Sequence, residues 1–278
     1  MDERLQGKIV VITGASSGIG AATARLCGAA GMRVVLGSRR TELLEQVAEE
    51  VRRAGGETLV CRTDVAAAAD VERLIRAAEE HFGHIDILLA NAGAGYSARM
   101  AEITEEQILR TVQTNLLGVI RLTRAALPMM IARRSGHVIT VSSVAGGFVM
   151  PRAAVYAATK AGIHRFTEGL RREVREYGIH VSDVMPGIID TPMTSYIRNL
   201  PKAPVDDAAR AMLSVMRRPR RCVVVPGWYR VVLALNRHFP ALMDAAIARM
   251  PSQERRDPTA GSQNTGNSPP PPRSKDSS

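Results

Sequence analysis

The feature that most constrains this chain is a repeat in its hydrophobicity, in which short continuous apolar runs alternate with longer stretches of helical periodicity. The runs are KIVVIT (8–13), RVVLGS (33–38), TLVCR (58–62), IDILLAN (85–91), HVITVSS (137–143), IHVSDV (179–184) and RCVVVP (221–226). Their apolar residues are consecutive rather than alternating, as expected of strands covered on both faces. Between them lie helical patterns such as TELLEQVAEEVRRA and AADVERLIRAAEEHF. Strand then helix, repeated, predicts an α/β fold: a doubly wound parallel sheet of about seven strands, flanked by helices and joined by right-handed crossovers.

The 278 residues, 45% of them hydrophobic, suit one principal domain with a packed core. Aromatic residues make up 4%, so Val, Ile, Leu, Ala and Met must fill that core. Cys27, Cys61 and Cys222 are far apart, form no CxxC and fall in apolar segments, the pattern of buried free thiols in a reducing cytoplasm. No segment approaches the roughly 18 consecutive apolar residues of a membrane span, and the first apolar run leads into a glycine-rich turn instead of a cleavage site. A soluble, cytoplasmic protein is expected. The net charge of +10 is spread over segments that also carry Glu, as in RREVRE (171–176), and has no interleaved aromatics. These are solvated helix faces, and no nucleic-acid partner is expected.

Residues 1–227 form the expected main domain. Residues 228–250 read as two helical pieces broken at Pro240, packed on the domain or on a partner subunit; contact with a membrane surface is the minor alternative. From Pro251 the chain has no aromatic and contains a four-proline run. Such a segment cannot bury enough apolar surface to offset its ordering entropy, so 251–278 is expected to be disordered.

The first strand runs into TGASSGIG (13–20). Glycines at a strand-to-helix turn let the backbone approach a pyrophosphate, whose charge the helix N-terminus then meets. The second strand ends GSRRTE, with Ser38, Arg39 and Arg40 where an acid would bind a ribose 2′-hydroxyl. An arginine there accommodates a 2′-phosphate, which favours NADP(H), with NAD(H) as the alternative. In VYAATK (155–160), Tyr156 and Lys160 are four residues apart and share one helix face. Alone this pair arises often by chance. Beside a bound nicotinamide it has a chemical use. A carbonyl that accepts hydride needs a proton, and a cation about 5 Å from a phenol, at an effective dielectric of about 20, favours phenolate by roughly 3 kcal/mol.

The ordered set of motifs resembles the short-chain dehydrogenase/reductase family from about Gly7 to about Gly227. Thr13, Gly14, Gly18, Ile19 and Gly20 match its glycine turn, with Ser16 and Ser17 inside it. Asp64 and Val65 match its adenine contact, and Asn91, Ala92 and Gly93 its NAG turn. Asn115 in QTNLLG, Ser143 after the fifth strand, and Tyr156 with Lys160 match its catalytic positions. Pro186, Gly187, Ile189 and Thr191 match the PGxxxT stretch beside the nicotinamide. The resemblance implies a single Rossmann-type catalytic domain and an oxidoreductase acting on a carbonyl or secondary alcohol. By the same resemblance Tyr156 is the acid in reduction and the base in oxidation. Lys160 binds the nicotinamide ribose, Ser143 polarises the substrate oxygen, and Asn115 holds a water of the proton relay. Ser17 stands where many NADP-preferring members carry a base, so the preference rests largely on Arg39. The family also implies a homodimer or homotetramer built on helices at about 102–133 and 153–177. A cofactor-binding redox sensor without chemistry is the alternative.

Tyr96, Met100, GGFVMP (146–151), Met193, Tyr196, Ile197 and Leu200 follow strand ends where such folds hold ligands, which suggests a hydrophobic substrate. No metal is expected. His81, His84, His137, His164 and His180 are dispersed and read as capping or surface residues.

Overall fold

The computed structural model describes residues 3–249. The expected tail, 251–278, lies outside the described residues. Seven strands form one parallel sheet: β1 Ile9–Thr13, β2 Arg33–Ser38, β3 Glu57–Arg62, β4 Ile87–Ala90, β5 Gly136–Val141, β6 Ile179–Pro186 and β7 Cys222–Val225. Their order is β3-β2-β1-β4-β5-β6-β7, and every pairing is parallel. The winding reverses between β1 and β4, so a crevice opens above their carboxyl ends.

The continuous apolar runs are explained by the two faces of this sheet. Val10, Ile12, Val34 and Leu36 point into one core with α1 (Gly18–Ala29), α2 (Thr41–Arg53) and α7 (Val205–Arg217). Val11, Val35, Leu88 and Val138 point into the other, with α3 (Ala68–Phe82), α5 (Gly118–Ala132) and α6 (Ala154–Glu173). The buried Val71, Leu74, Ile75 and Ala78 of α3 follow a helical i, i+3, i+4, i+7 pattern. Each such fully buried aliphatic side chain contributes about 1.5–3 kcal/mol. Glycine 83 ends α3 at φ 82°, a conformation that an L side chain rarely adopts.

Three expectations need correction. The helix anticipated at 102–133 begins at Glu105, as α4 (Glu105–Val112), behind a capping box of Thr104 and Gln107, and it contains a π-helical turn at Gln113–Leu117. By length and composition Glu105–Ala132 meets the requirement for a membrane span. Its Val119, Leu122, Ala126 and Met130 are nevertheless buried against the sheet. Second, only Cys27 is a buried thiol; Cys61 is half-buried and Cys222 exposed. Both lie on the edge strands β3 and β7, where fewer neighbours cover a side chain. Third, α7 went unmarked in the sequence, although its Ala208, Ala209, Met212 and Met216 are buried.

The chain from 228 forms α8 (Tyr229–His238) and α9 (Pro240–Ala248), bent by 113° at the proline. Tyr229, Val232 and Leu233 pack on Val144, Met185 and Val224. On the other side Trp228, Val231, Leu235, Phe239 and Leu242 are exposed.

Candidate active site

The turn from β1 into α1 is shaped by close approaches that a side chain would block. Gly14 and Gly18 have φ of 68° and 56°. A Cβ on Gly20 would lie 2.4 Å from the Gly14 carbonyl oxygen. Behind the turn, the Thr13 hydroxyl accepts from the Asn91 and Ala92 N–H groups at 3.2 Å, and Asn91 Nδ2 donates to the Thr13 carbonyl at 2.9 Å. The ends of β1 and β4 are thereby stapled together. Helix α1 starts without a side-chain cap and without an acidic residue in its first turn, so its N-terminal N–H groups and dipole favour an anion there.

A cavity of about 250 Å³ runs from this turn across the carboxyl ends of β1, β4, β5 and β6. Gly14, Ser16, Ser17, Gly18, Ile19, Ser38, Arg39, Asp64, Val65 and Asn91 line one part of it. Ala92, Gly93, Ser143, Tyr156, Lys160, Pro186, Gly187, Ile189 and Thr191 line another part, and Arg40 and Arg110 are among the other residues along its wall. Thr13 and Gly20 do not line it and instead shape the turn from behind.

At the far end the chemistry-bearing side chains converge. Ser143 Oγ donates to the Pro186 carbonyl at 3.1 Å and accepts from the Ala145 N–H, and it lies close enough to Tyr156 to act on the phenol. Lys160 is 4% exposed, donates from Nζ to the Val141 carbonyl at 2.8 Å, and lies 5.6 Å from the centroid of the Tyr156 ring. Burial pulls the lysine down to about 8 against the opposing influence of Asp183. Burial likewise pushes the Tyr156 phenol up to about 12; Ser143 only moderates this, and Tyr196 adds to it. The expected lowering by the lysine is therefore outweighed in the protein alone. The reason is desolvation, which penalises phenolate as well as ammonium.

Residues 8–201 match the family model of short chain dehydrogenases. The chain belongs to the short-chain dehydrogenase/reductase family. It is 34% identical over 218 residues to an uncharacterized oxidoreductase of Staphylococcus aureus strain MRSA252, covering 78% of this chain and 94% of that one. It is also 41% identical over 183 residues to glycine betaine reductase of Emericella nidulans, which covers 66% of this chain but 14% of that much longer protein. Among solved structures, alcohol dehydrogenase from Thermococcus sibiricus, complexed with 5-hydroxy-NADP, superposes with a TM-score of 0.73 at 30% identity, over 79% of this chain and 95% of that one. A Burkholderia phymatum family member in complex with NAD gives 0.80 at 25% identity, over 92% of this chain and 100% of that one. The protein is thus an NAD(P)-binding oxidoreductase of this family, with the seven-stranded parallel sheet of its relatives.

Within that family frame, several residues behave differently from the sequence reading. Asn115 is wholly buried. Its Oδ1 accepts from the Ala94 N–H at 2.8 Å, and its Nδ2 donates to the Ala94 carbonyl at 2.9 Å and to Thr159 Oγ1 at 3.1 Å. The side chain pins the loop after β4 to α6 and does not line the cavity, and it sits in the π-helical turn. Arg40 reaches back over the glycine turn and donates from Nη2 to Ser16 Oγ at 2.9 Å and Ser17 Oγ at 2.7 Å. Ser16 Oγ in turn lies 2.8 Å from Ser38 Oγ. Arg39 lines the cavity without a hydrogen bond to another described residue. Arg110, which no motif marked, pairs with Asp64 at 2.9 Å. Burial opposes the charged form of Asp64, but the Ala66 N–H and Arg110 outweigh it and hold the carboxyl below its ordinary range.

Two histidines also depart from the expected capping or surface roles. His137 is 5% exposed, 2.8 Å from Ser182 Oγ, and lowered to about 3 by burial and by His180. His164 contacts Asp183 through Nδ1 at 2.7 Å. Their partners are remote in sequence, so spacing along the chain could not reveal them.

Proposed function

We propose that this protein is an NADP(H)-preferring oxidoreductase that transfers hydride between the nicotinamide and a carbonyl or secondary alcohol of a hydrophobic substrate. The observation that carries this is the convergence of Ser143, Tyr156 and Lys160 at one end of a cavity whose other end is a glycine turn and an uncapped helix N-terminus. The turn, where a Cβ on Gly18 would meet Thr191 at 3.2 Å, fits a closely approaching pyrophosphate. A nicotinamide held near Lys160, Pro186 and Thr191 would supply the hydride.

The chain's own residues then handle the proton. Ser143 donates to the substrate oxygen, and Tyr156 gives up its hydroxyl proton in reduction or takes one in oxidation. Lys160 lowers the energy of the phenolate that results. The uphill shift of Tyr156 favours the phenol, which suits a proton donor. Ser38 and Arg39 at the end of β2 support the preference for a 2′-phosphate, as does the absence of an acid there. A hydrophobic substrate is supported by Met100, Val149, Met193 and Tyr196, large apolar side chains left exposed on the loops after β4, β5 and β6. A redox sensor would have no use for this Ser–Tyr–Lys group.

The test is a panel of ketones, aldehydes and secondary alcohols, followed by nicotinamide absorbance with each cofactor in turn. Faster turnover of aliphatic or aromatic ketones with NADPH is expected. Faster turnover of small polyols, or equal use of NADH, would refute the substrate or the cofactor half respectively.

A further inference from the structure

Tyr156, Lys160 and His164 follow one another at intervals of four along α6, so all three lie on one face of that helix. Behind them, in β6, is Asp183, which is 1% exposed. Its carboxylate accepts from Ser142 Oγ at 2.8 Å and from the Ser142 N–H and Thr140 Oγ1 at 3.3 Å, and it contacts His164 Nδ1 at 2.7 Å. Lys160, for its part, makes no direct ion pair with a described residue; its one hydrogen bond to a described residue is to the Val141 carbonyl. A buried ammonium is sustained only where opposite charge or strong acceptors compensate the lost hydration. The Val141–Ser142 peptide lies between Lys160 and Asp183, its carbonyl accepting from Lys160 Nζ at 2.8 Å and its N–H donating to Asp183 at 3.3 Å, so Asp183 is the buried anion on the far side of the bond that holds the lysine. Ser142, which anchors the carboxylate, immediately precedes Ser143, which lines the same cavity as Tyr156 and acts on its phenol.

We propose that Asp183, held by Ser142, Thr140 and His164, is a positioning residue that keeps Lys160 an ammonium at neutral pH and thereby sets the proton affinity of Tyr156. The consequence for Tyr156 rests on the oxidoreductase reading above; the effect on Lys160 does not.

The groups facing this centre are few. Asp183 is met by His164 from α6 and by Cys222 from β7, the His164, Asp183 and Cys222 polar atoms lying within 4.8 Å of one another, and it faces Lys160 of α6 across the Val141–Ser142 peptide. Arg165 and Glu168 flank His164 on its own helix. Arg230 of α8 and Arg171 of α6 act on Cys222, an exposed residue whose sulfur is itself partly covered beside Met185; that covering and Asp183 push the thiol up to about 11. Cys222 thus stays neutral near neutrality. His164 is raised, first by its hydrogen bond to Asp183. When protonated it shares the carboxylate with Lys160, and when it loses its proton the full charge of Asp183 acts on the lysine.

The chain has four lysines, Lys8, Lys160, Lys202 and Lys275, so the Lys160 charge can be followed directly. The full-length protein, labelled with 13C at the lysine ε-carbon, is titrated by NMR, and the Lys160 signal is assigned by its loss in Lys160→Met. In Asp183→Asn the Lys160 midpoint should fall by about one pH unit. The acid limb of alcohol oxidation should move to higher pH, with KM little changed. An unmoved Lys160 midpoint in folded Asp183→Asn overturns the proposal. Should that variant fail to fold, His164→Gln at its half-buried site decides. Wild type should show a second inflection in the Lys160 signal that His164→Gln lacks, and superimposable curves would overturn the proposal equally. The midpoint is read without substrate, so a Lys160 shift in a protein that turns over no carbonyl would count against the oxidoreductase reading alone.

Discussion

Two aspartates, both almost fully buried, sit at different levels of the same sheet and are treated in opposite ways. Asp86, just before β4, is met by Lys8 Nζ at 3.1 Å, His84 Nε2 at 3.2 Å and an Arg133 nitrogen at 3.8 Å, and it accepts from the Ile9 N–H at 2.9 Å. Asp183, in β6, has hydroxyls, one N–H and one imidazole, while its nearest strong cation is bonded elsewhere. Burial is alike; direct contact with opposite charge is not. At Asp86 the charges close on each other away from the cavity and serve the fold. At the cavity end Lys160 and Tyr156 are both left short of compensation, and a site so arranged can exchange protons.

The largest effect expected from this contrast is at Tyr156. Tyr156→Phe should cut turnover about a thousandfold, with thermal stability and cofactor affinity near wild type, as read by steady-state kinetics, melting and cofactor titration. Full turnover would remove the assigned acid. Next comes Gly20→Ala, whose Cβ would strike the Gly14 carbonyl. Overpacking there should cost about 3 kcal/mol in denaturant unfolding and weaken cofactor binding, so wild-type stability would show that the turn can give way. Asp86→Ala should do the reverse of Tyr156→Phe. It leaves the Ile9 N–H without its acceptor and should lower stability by about 2 kcal/mol, while turnover per folded molecule holds. Burial opposes the charge on Asp86, but the Ile9 N–H and Lys8 outweigh it and hold the carboxyl below its ordinary range. Its contribution is therefore present above the unfolded carboxyl range and is lost as pH falls through the lowered value. Asp86→Ala should flatten the acid limb of a stability-versus-pH curve, and an unchanged limb would break the comparison.

The sheet was legible because each strand is apolar on both faces, and the two cores account for that directly through Val10 and Val11 pointing opposite ways. The glycine turn was legible because close backbone approach demands glycine, and the gathering of Ser143, Tyr156 and Lys160 on one cavity because a strand end and one face of α6 bring them together; the proton transfer proposed above is a reading of that gathering. What stayed hidden depends on contacts between distant segments. Asp183 with His164, Asp64 with Arg110 and Asn115 with Ala94 are pairs that only the folded chain brings together. The direction of the Tyr156 shift was missed for a related reason: a spacing of four reports the cation but not the desolvation of the phenol.

The smallest expected effect separates two neighbouring arginines. Arg40 is committed to Ser16 and Ser17 of the glycine turn, so it supports the turn whatever the cofactor. Both arginines line the cavity, but Arg39 makes no hydrogen bond to another described residue and is the one that the proposed preference assigns to a 2′-phosphate. Arg39→Ala should raise the KM for NADPH about fivefold more than that for NADH, the scale of roughly 1 kcal/mol for an exposed charge pair, and added salt should shrink the difference. Arg40→Ala should raise both constants alike, because a loosened turn holds either pyrophosphate less well. If selectivity were lost in the Arg40 variant and kept in the Arg39 variant, the arginine that now ties Ser16 to Ser17 would have to turn toward the phosphate, and the end of β2 would be a rearranging site instead of a preformed one.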